Sequence, residues 1–419
     1  MAATATDIWE FRATAGDANA GGGFNTAASG TDYSNQDSAQ LQLTDLATSG
    51  VGVTTLTSAT GGFTAAMIGN YIQIRSGTNV NAGFYRVTAR TDTNTVTLDR
   101  APDDAVGGVS SGNGDLGGAL DIILDAFIDD ADIIIAGNTI HIKNDGTMTL
   151  TGGGVTTSKD GTGLAPIIID GYNSSRGDNP TGSNRPVIAM AANNFSFDNF
   201  WQVKNLIFTN TNSTGMGVDN DGMVINCKAT NSSGSAGREA MNVLQRTKVI
   251  KTELISTNGA GSKPNQNSIF YGCYFHDSDV GLQPAVGNST AINCVFDTMA
   301  TAGFRGAVNV FAGVAINCTF YNCGTGIDMA STGNTSWAIL NNVFDANTTG
   351  VDWQEADLSV YMDYNVWDNT TDVNNLVKGS NSVTGDPGLT DPANGDFTLG
   401  GGSNAIDAGL DATDAGATV

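Results

Sequence analysis

The 419-residue chain predicts an all-β solenoid, a coil of short strands each stacked on its neighbours. Three observations carry this. "AINCVFDTM" begins at residue 291 and "AINCTFYNC" at 315, and aligning their neighbours gives a column of Leu206, Cys227, Thr252, Cys273, Cys294, Cys318, Asn342 and Asn365 in steps of 21 to 25 residues. Around the column, apolar residues recur at every second place. Phe208, Ala229, Leu254, Phe275, Phe296, Phe320, Phe344 and Trp367 follow it by two, and Ile225, Ile250, Tyr271, Ile292, Ile316 and Leu340 precede it by two, with Lys204 and Asp363 breaking the register at the ends. A period of two inside a period of twenty-odd is the mark of strands wound into coils. Third, Asp, Asn, Gly, Ser and Thr dominate while only four of the 42 acids are glutamate, a vocabulary of turns and strand edges rather than helices.

Charge and cysteine usage narrow the function classes. A net charge of -24 argues against nucleic acid, anionic lipid or a polyanionic substrate as a general partner. "MAATATDIWEFRATAGD" has neither a basic n-region nor an apolar h-region, so no Sec signal peptide is expected, and "ALDIILDAFIDDADIIIAG" is broken too often by aspartate to span a membrane. The five cysteines form no CxxC and no zinc-ligand spacing, so no disulfide scaffold, metal or cofactor is expected.

A second landmark follows the phenylalanine column: Gly281-Leu282, Gly303-Phe304, Gly326-Ile327 and Gly350-Val351. Glycine here is expected to turn the chain, with the next residue pointing inward. Each unit thus reads strand, tight turn, strand, loop, glycine, strand. With coils such as "AILNNVFDANTTGVDW", the chain resembles the right-handed parallel β-helix superfamily of pectate-lyase-like proteins. In that family the second Asn of "NN" stacks into an asparagine ladder at the turn. Asn342 and Asn365 fit it, whereas cysteine stands at 227, 273, 294 and 318, where reduced packing cysteines are expected. Cys323 lies outside the column and reads as a turn residue.

Taken in order, residues 1–39 read as a first strand and loop leading to the β-helix cap. Residues 40–101 read as an inserted antiparallel β-module, since "YIQIRSG", "AGFYRVTARTD" and "NTVTLDRAP" alternate apolar and polar residues between turn signals. With "TLTSATGGFTAAMIGNYIQI", this module resembles small modules in virion proteins of tailed phages. Residues 102–132 are a linker and, by resemblance of "GALDIILDAFIDDA", the amphipathic helix that caps such solenoids. Residues 133–410 form the β-helix, closing through "GDPGLTDPANGDFTLGGGSNAIDAG", and 411–419 a tail.

The resemblance implies that substrate, in an enzyme, would lie on the face carrying the strand after each glycine. The outward positions there are Gln283, Arg305, Asp328 and Asp352. Arg305, Asp328 and Asp352 are therefore the catalytic candidates, because Asp328 and Asp352 one rung apart, ~5 Å, suit a retaining carboxylate pair. The competing reading, which is preferred, is an acidic ladder on a solvated face relieved by Arg305, with no catalytic residue. Asp297, Asp345 and Asp368 are assigned to turns. "DWQEADLSVYMD" gathers Asp352, Glu355, Asp357 and Asp363 without the spacing of a calcium loop. Neither His141 nor His276 has a nucleophile nearby in sequence, and His276 is expected to face solvent. Lys228 falls above Glu253 in the coil register, a surface pair worth little.

Two function classes remain. The resemblance of the inserted module implies a structural component of a phage particle, a capsid decoration or tail-associated protein located in the virion and assembled in the host cytoplasm. Its partners would be itself, as a homo-oligomer with a trimer preferred, and capsid or tail proteins. Neither nucleic acid nor membrane is expected as a partner; a host-surface glycan is a further candidate. The alternative, resting on the fold resemblance alone, is a polysaccharide lyase or glycoside hydrolase, including a tailspike depolymerase.

Overall fold

The structure, a computed structural model, describes residues 4–121, 127, 133–150, 155–191, 194–211, 215–233, 235–306, 312–329, 336–353 and 359–410. It divides into two units, residues 1–189 with 198–207, and residues 190–197 with 208–419.

In the first unit, strand Asp7–Arg12 pairs antiparallel with Gly23–Asn25 and parallel with Thr139–Lys143. The parallel stack continues through Ile167–Tyr172 to Trp201–Lys204. Trp9 and Phe11 stand in register with Ile140 and Ile142, and all four are buried. An antiparallel module is present as expected, a six-stranded sheet ordered Leu41–Leu46, Ser110–Leu116, Tyr71–Thr78, Gly83–Asp92, Thr95–Leu98, Thr55–Thr57. It has its own core of Leu43, Leu46, Leu56, Phe63, Ile72, Ile74, Val87, Val96 and Leu98. Its second strand, "SSGNGDL", lacks the apolar alternation that marks the others, and glycine suits it because a Cβ on Gly114 would lie 2.8 Å from the Leu46 side chain.

The capping helix expected within 102–132 is not supported. Residues 110–116 are a strand, and 122–126 and 128–132 lie outside the described residues. Aromatic packing covers the first parallel strand instead: Trp9 lies 4.6 Å from Tyr71 and 4.7 Å from Phe127, and Phe11 5.0 Å from Phe127. Tyr71 comes from the inserted module, so the insertion takes part in closing this core.

On the outside of the same strand sits a buried charged network. Glu10, fully buried, receives Arg12 Nε at 3.0 Å on one oxygen and Arg176 Nη2 at 2.8 Å on the other. Tyr172 donates its hydroxyl to Glu10 as well. The two guanidinium groups also reach the loop before the module, Arg12 at Asn35 (2.8 Å) and Asp37, Arg176 at Asp32 (2.6 Å) and Ser34 (3.1 Å). His141, in register with Glu10 and Asp170, is held neutral there: burial pushes its pKa down to about 3, helped by the positive Arg176.

The second unit is the repeating solenoid, three parallel sheets followed by a C-terminal hairpin. The first sheet runs from Met223–Ile225 to Ser359–Asp363, the second from Lys228–Asn231 to Val383–Thr384, and the third from Phe195–Phe197 to Thr371–Asn374. Successive coils are in register, so like residues stack. Phe275, Phe296, Phe320, Phe344 and Trp367 form one column with ring centroids 4.4–4.8 Å apart and planes within 8°. That spacing is the strand separation itself. The residue before each of Cys294, Cys318 and Asn342 makes the turn with positive φ, 54° at Asn293 and Asn317 and 57° at Asn341. Asparagine tolerates that conformation better than other non-glycine residues.

The cysteine column faces inward as expected, and all five cysteines are buried and outside any disulfide. Cys318 N–H donates to Asn342 Oδ1 at 2.8 Å, and Asn342 N–H to Asn365 Oδ1 at 2.9 Å, so the cysteines continue the asparagine ladder upstream. Cys273 and Cys294 turn their thiols to the carbonyls of Val249 and Phe270, at 3.3 and 3.5 Å. Cys323 begins a second ladder at the next turn, its N–H bonded to Asn347 Oδ1 at 2.8 Å and that of Asn347 to Asn369 Oδ1 at 3.2 Å. The glycine landmark has a different cause from the one expected. None of Gly281, Gly303, Gly326 and Gly350 has positive φ. A Cβ at 303 or 326 would instead lie 2.6 or 2.8 Å from the phenylalanine ring at 320 or 344, so the aromatic stack requires glycine there.

Candidate functional site

The third sheet brings the sequence candidates together. Arg305 stands in register with Asp328, Asp328 with Asp352, and Asp352 with Asn374. Arg305 Nε binds Asp328 Oδ2 at 3.1 Å, and Asp328 is 8% exposed. Asn374 Nδ2 donates to Asp352 Oδ1 at 2.8 Å. Two coils earlier in the same outward file Lys263 is joined to Glu239 at 3.5 Å. The file is a ladder in which each carboxylate has a donor. Gln283 lies half-buried between Lys263 and Arg305. Of the acidic run after Asp352, Glu355 and Asp357 lie outside the described residues. Asp363 accepts Asn381 N–H and Nδ2 at 2.9 and 2.8 Å, fixing the segment after the last coil.

A second constellation lies on the outer face of the second sheet, and the sequence reading missed it. Its outward residues flank the phenylalanine column: Tyr274 and His276 on one strand, Val295 and Asp297 on the next, Thr319 and Tyr321 on the third. Lys228 Nζ lies 2.8 Å from Glu253 Oε1, as the register predicts. The same oxygen is 3.0 Å from His276 Nε2, and His276 Nδ1 is 2.8 Å from Asp277. The Tyr274 ring stacks on the imidazole at 4.3 Å and its hydroxyl donates to Asp297 Oδ2 at 2.8 Å. His276 thus faces outward as expected, but its side chain is mostly covered, 15% exposed, and Asp297 lines a wall instead of serving a turn alone.

The C-terminal hairpin, Leu389–Asp391 with Asp396–Leu399, faces this wall across a turn at Pro392–Asn394. Phe397 lies 6.1 Å from Tyr274 and 5.8 Å from Tyr321. The open cleft measures about 700 Å³ and is lined by Tyr274, His276, Asp297, Tyr321, Asn322 and Pro392, among others. The hydrogen bond to His276 and the neighbouring Lys228 lower the Glu253 pKa to about 2 against the opposing effect of burial. Burial would lower His276, but its bonds to Glu253 and Asp277 outweigh that and raise it. Farther along, burial followed by the charges of Asp368 and Asp386 raises Asp345 to about 6. The signal was present in the repeat, where the place after each phenylalanine reads His, Asp, Tyr, Asp. The hairpin that closes the space belongs to no repeat.

No protein-family model matches the chain, and no curated protein does. Solved structures do. A crystal structure of the pectate lyase Pel9A aligns with a TM-score of 0.54 at 15% identity, covering 71% of this chain and 88% of that one. ORF18 of Geobacillus virus E2 aligns at 0.38 and 13% over 59% of this chain and 52% of its own length. The tailspike protein gp49 from Pseudomonas phage LKA1 aligns at 0.30 and 12% over 82% and 59%. The stacked parallel sheets and the Pel9A alignment define the class: the chain has the pectate-lyase-like parallel β-helix fold. Among the described residues no helix is long and apolar enough to cross a membrane.

Proposed function

We propose that the chain is a structural component of a phage particle, a capsid-decoration or tail-associated β-helix that self-associates, preferably as a trimer, and does not cleave polysaccharide. The observation that carries this reading is the state of the third-sheet file. Asp328 is held by Arg305 and Asp352 by the neutral amide of Asn374, so the carboxylate spacing that suits a retaining glycosidase is occupied by a hydrogen-bonded ladder. The resemblance of the inserted module to modules of virion proteins supports the particle as its destination. The module's arginines are bonded within the first unit, Arg75 to Asp115 (3.1 Å), Arg86 to Asp7 (3.5 Å), Arg90 to the Phe63 carbonyl (2.8 Å) and Arg100 to the Phe84 carbonyl (2.7 Å). We take the inserted module as the surface that anchors the protein in its oligomer or on the particle, and with its arginines committed internally that anchoring rests on shape more than on positive charge.

Immunogold labelling of purified particles with an antibody to this chain is expected to decorate capsid or tail. Native mass spectrometry is expected to give a homo-oligomer, and reducing-end assays on a polysaccharide panel no release. Unlabelled particles, or release abolished by Asp328→Asn with Asp352→Asn, would overturn the reading.

A further inference from the structure

The second-sheet cleft is unused by a structural role, and its chemistry is selective. Over most of their length the outward files of this sheet carry small, β-branched or acidic residues, such as Val295, Thr319, Val343, Asp345 and Asp368. Aromatic side chains gather where the hairpin faces the sheet: Tyr274, Tyr321 and Phe397, with the His276 ring stacked beneath Tyr274. Between the two tyrosines stands Asp297. A carboxylate offers about four acceptor sites; on Asp297 the Tyr274 hydroxyl engages one oxygen and the Thr298 hydroxyl the other. That leaves further lone pairs for a ligand.

Cationic groups at the cleft are already committed, Lys228 to Glu253, and His276 to Glu253 and Asp277. A polyanion would meet Asp277 and Asp297 with no free positive charge to receive it. A ligand with many hydroxyl donors and flat apolar C–H faces, and without charge, meets both the rings and the acceptors. The volume, about 700 Å³, lies within the roughly 300–1,000 Å³ of small-molecule sites. Asp277 and Thr298 also line an adjoining cavity of about 510 Å³ with Asn258, Ser278 and Asp279, so the space extends beyond a single ring.

We propose that this cleft binds a neutral saccharide chain, with Tyr274 and Tyr321, braced by Phe397, packing on sugar faces and Asp297 and Asp277 accepting its hydroxyls. The site does not depend on the particle role, because the geometry belongs to the second unit alone.

The test is calorimetric titration of the full chain with cellohexaose, maltohexaose and laminarihexaose, and with hexagalacturonate as the charged counterpart. At least one neutral hexasaccharide is expected to bind with sub-millimolar Kd. Tyr321→Ala should weaken it at least tenfold and Asp297→Asn several-fold, while hexagalacturonate gives no saturable heat. Asp297→Asn keeps the shape of the side chain, so it reports on the cleft even if Tyr321→Ala fails to fold. No binding by any neutral probe, binding unchanged in Asp297→Asn, or preference for hexagalacturonate would overturn the proposal. Since free protein is used, failure of particle labelling and failure of this titration are separate results.

Discussion

The two units satisfy their buried polar groups by opposite means. In the repeating unit the groups at the turns are neutral and find partners one coil away: Cys318 N–H on Asn342, Asn342 on Asn365, Cys323 on Asn347. In the first unit the buried group is a carboxylate, Glu10, and its partners come from sequence distances of 2, 162 and 166 residues. A coil inside a stack always has a copy of itself as neighbour, so a short neutral side chain of the right length closes the ladder indefinitely. The first coil has no copy on one side. Its edge is covered by non-repeating loops, and charged side chains long enough to reach them take over the task. Neutral ladders cost little desolvation; a buried carboxylate is tolerable only with its arginines in place.

The apolar stack sets the scale for the repeating unit. Phe320 is fully buried between Phe296 and Phe344, and Phe320→Ala should cost about 3–5 kcal/mol in urea unfolding through the cavity it leaves. A loss below about 1 kcal/mol would mean that the coils collapse into the gap and that the stack is not the main source of stability.

Next in size should be Glu10→Leu, at about 3 kcal/mol, near the lower end for a broken buried ion pair because Arg12 keeps Asn35 and Arg176 keeps Asp32. Asn342→Ala should cost less, about 1–3 kcal/mol, since the bonds it breaks are neutral. Reversal of that order would break the comparison between the units. The neutral ladder also implies that Ellman's reagent finds no reactive thiol in the native protein and five after denaturation. All five cysteines are buried, and burial pushes the Cys323 thiol up to about 12. Fast reaction of any one would place that cysteine outside the ladder.

The same contrast explains what was legible in the sequence. Stacking copies every coil onto the next, so the alternation around Cys294 and Cys318 gave the strands, the inward phenylalanines, the cysteine ladder and the Lys228–Glu253 pair. The glycines were visible, but their reason was not, because contact between Gly303 and the Phe320 ring depends on the third dimension. The Glu10 network was illegible, since nothing local ties Glu10 to Arg176. Of the candidate site, the Arg305–Asp328–Asp352 file was read correctly as consecutive. The cleft was missed because its outer wall is the turn Pro392, Ala393, Asn394 and Gly395, which repeats nothing.

The smallest expected effect concerns the far end of the second sheet, where the repeat stacks like charges. Asp345, Asp368 and Asp386 are close enough that burial and mutual repulsion raise the Asp345 pKa from 3.8 to about 6. A raised carboxyl binds its proton more tightly folded than unfolded. Its favourable contribution is therefore complete below about pH 3.8 and lost as pH rises through about 6. Asp345→Asn, which keeps the shape and removes the charge, should raise the melting temperature by a small amount at pH 8 and leave it nearly unchanged at pH 4. Asp345 is partly exposed, so solvent screening keeps the gain small. Melting curves of both proteins from pH 4 to pH 8 should diverge between those two pKa values. Curves that stay parallel over the whole range would show that the three aspartates do not feel one another, and that stacking them at the end of the sheet carries no electrostatic penalty.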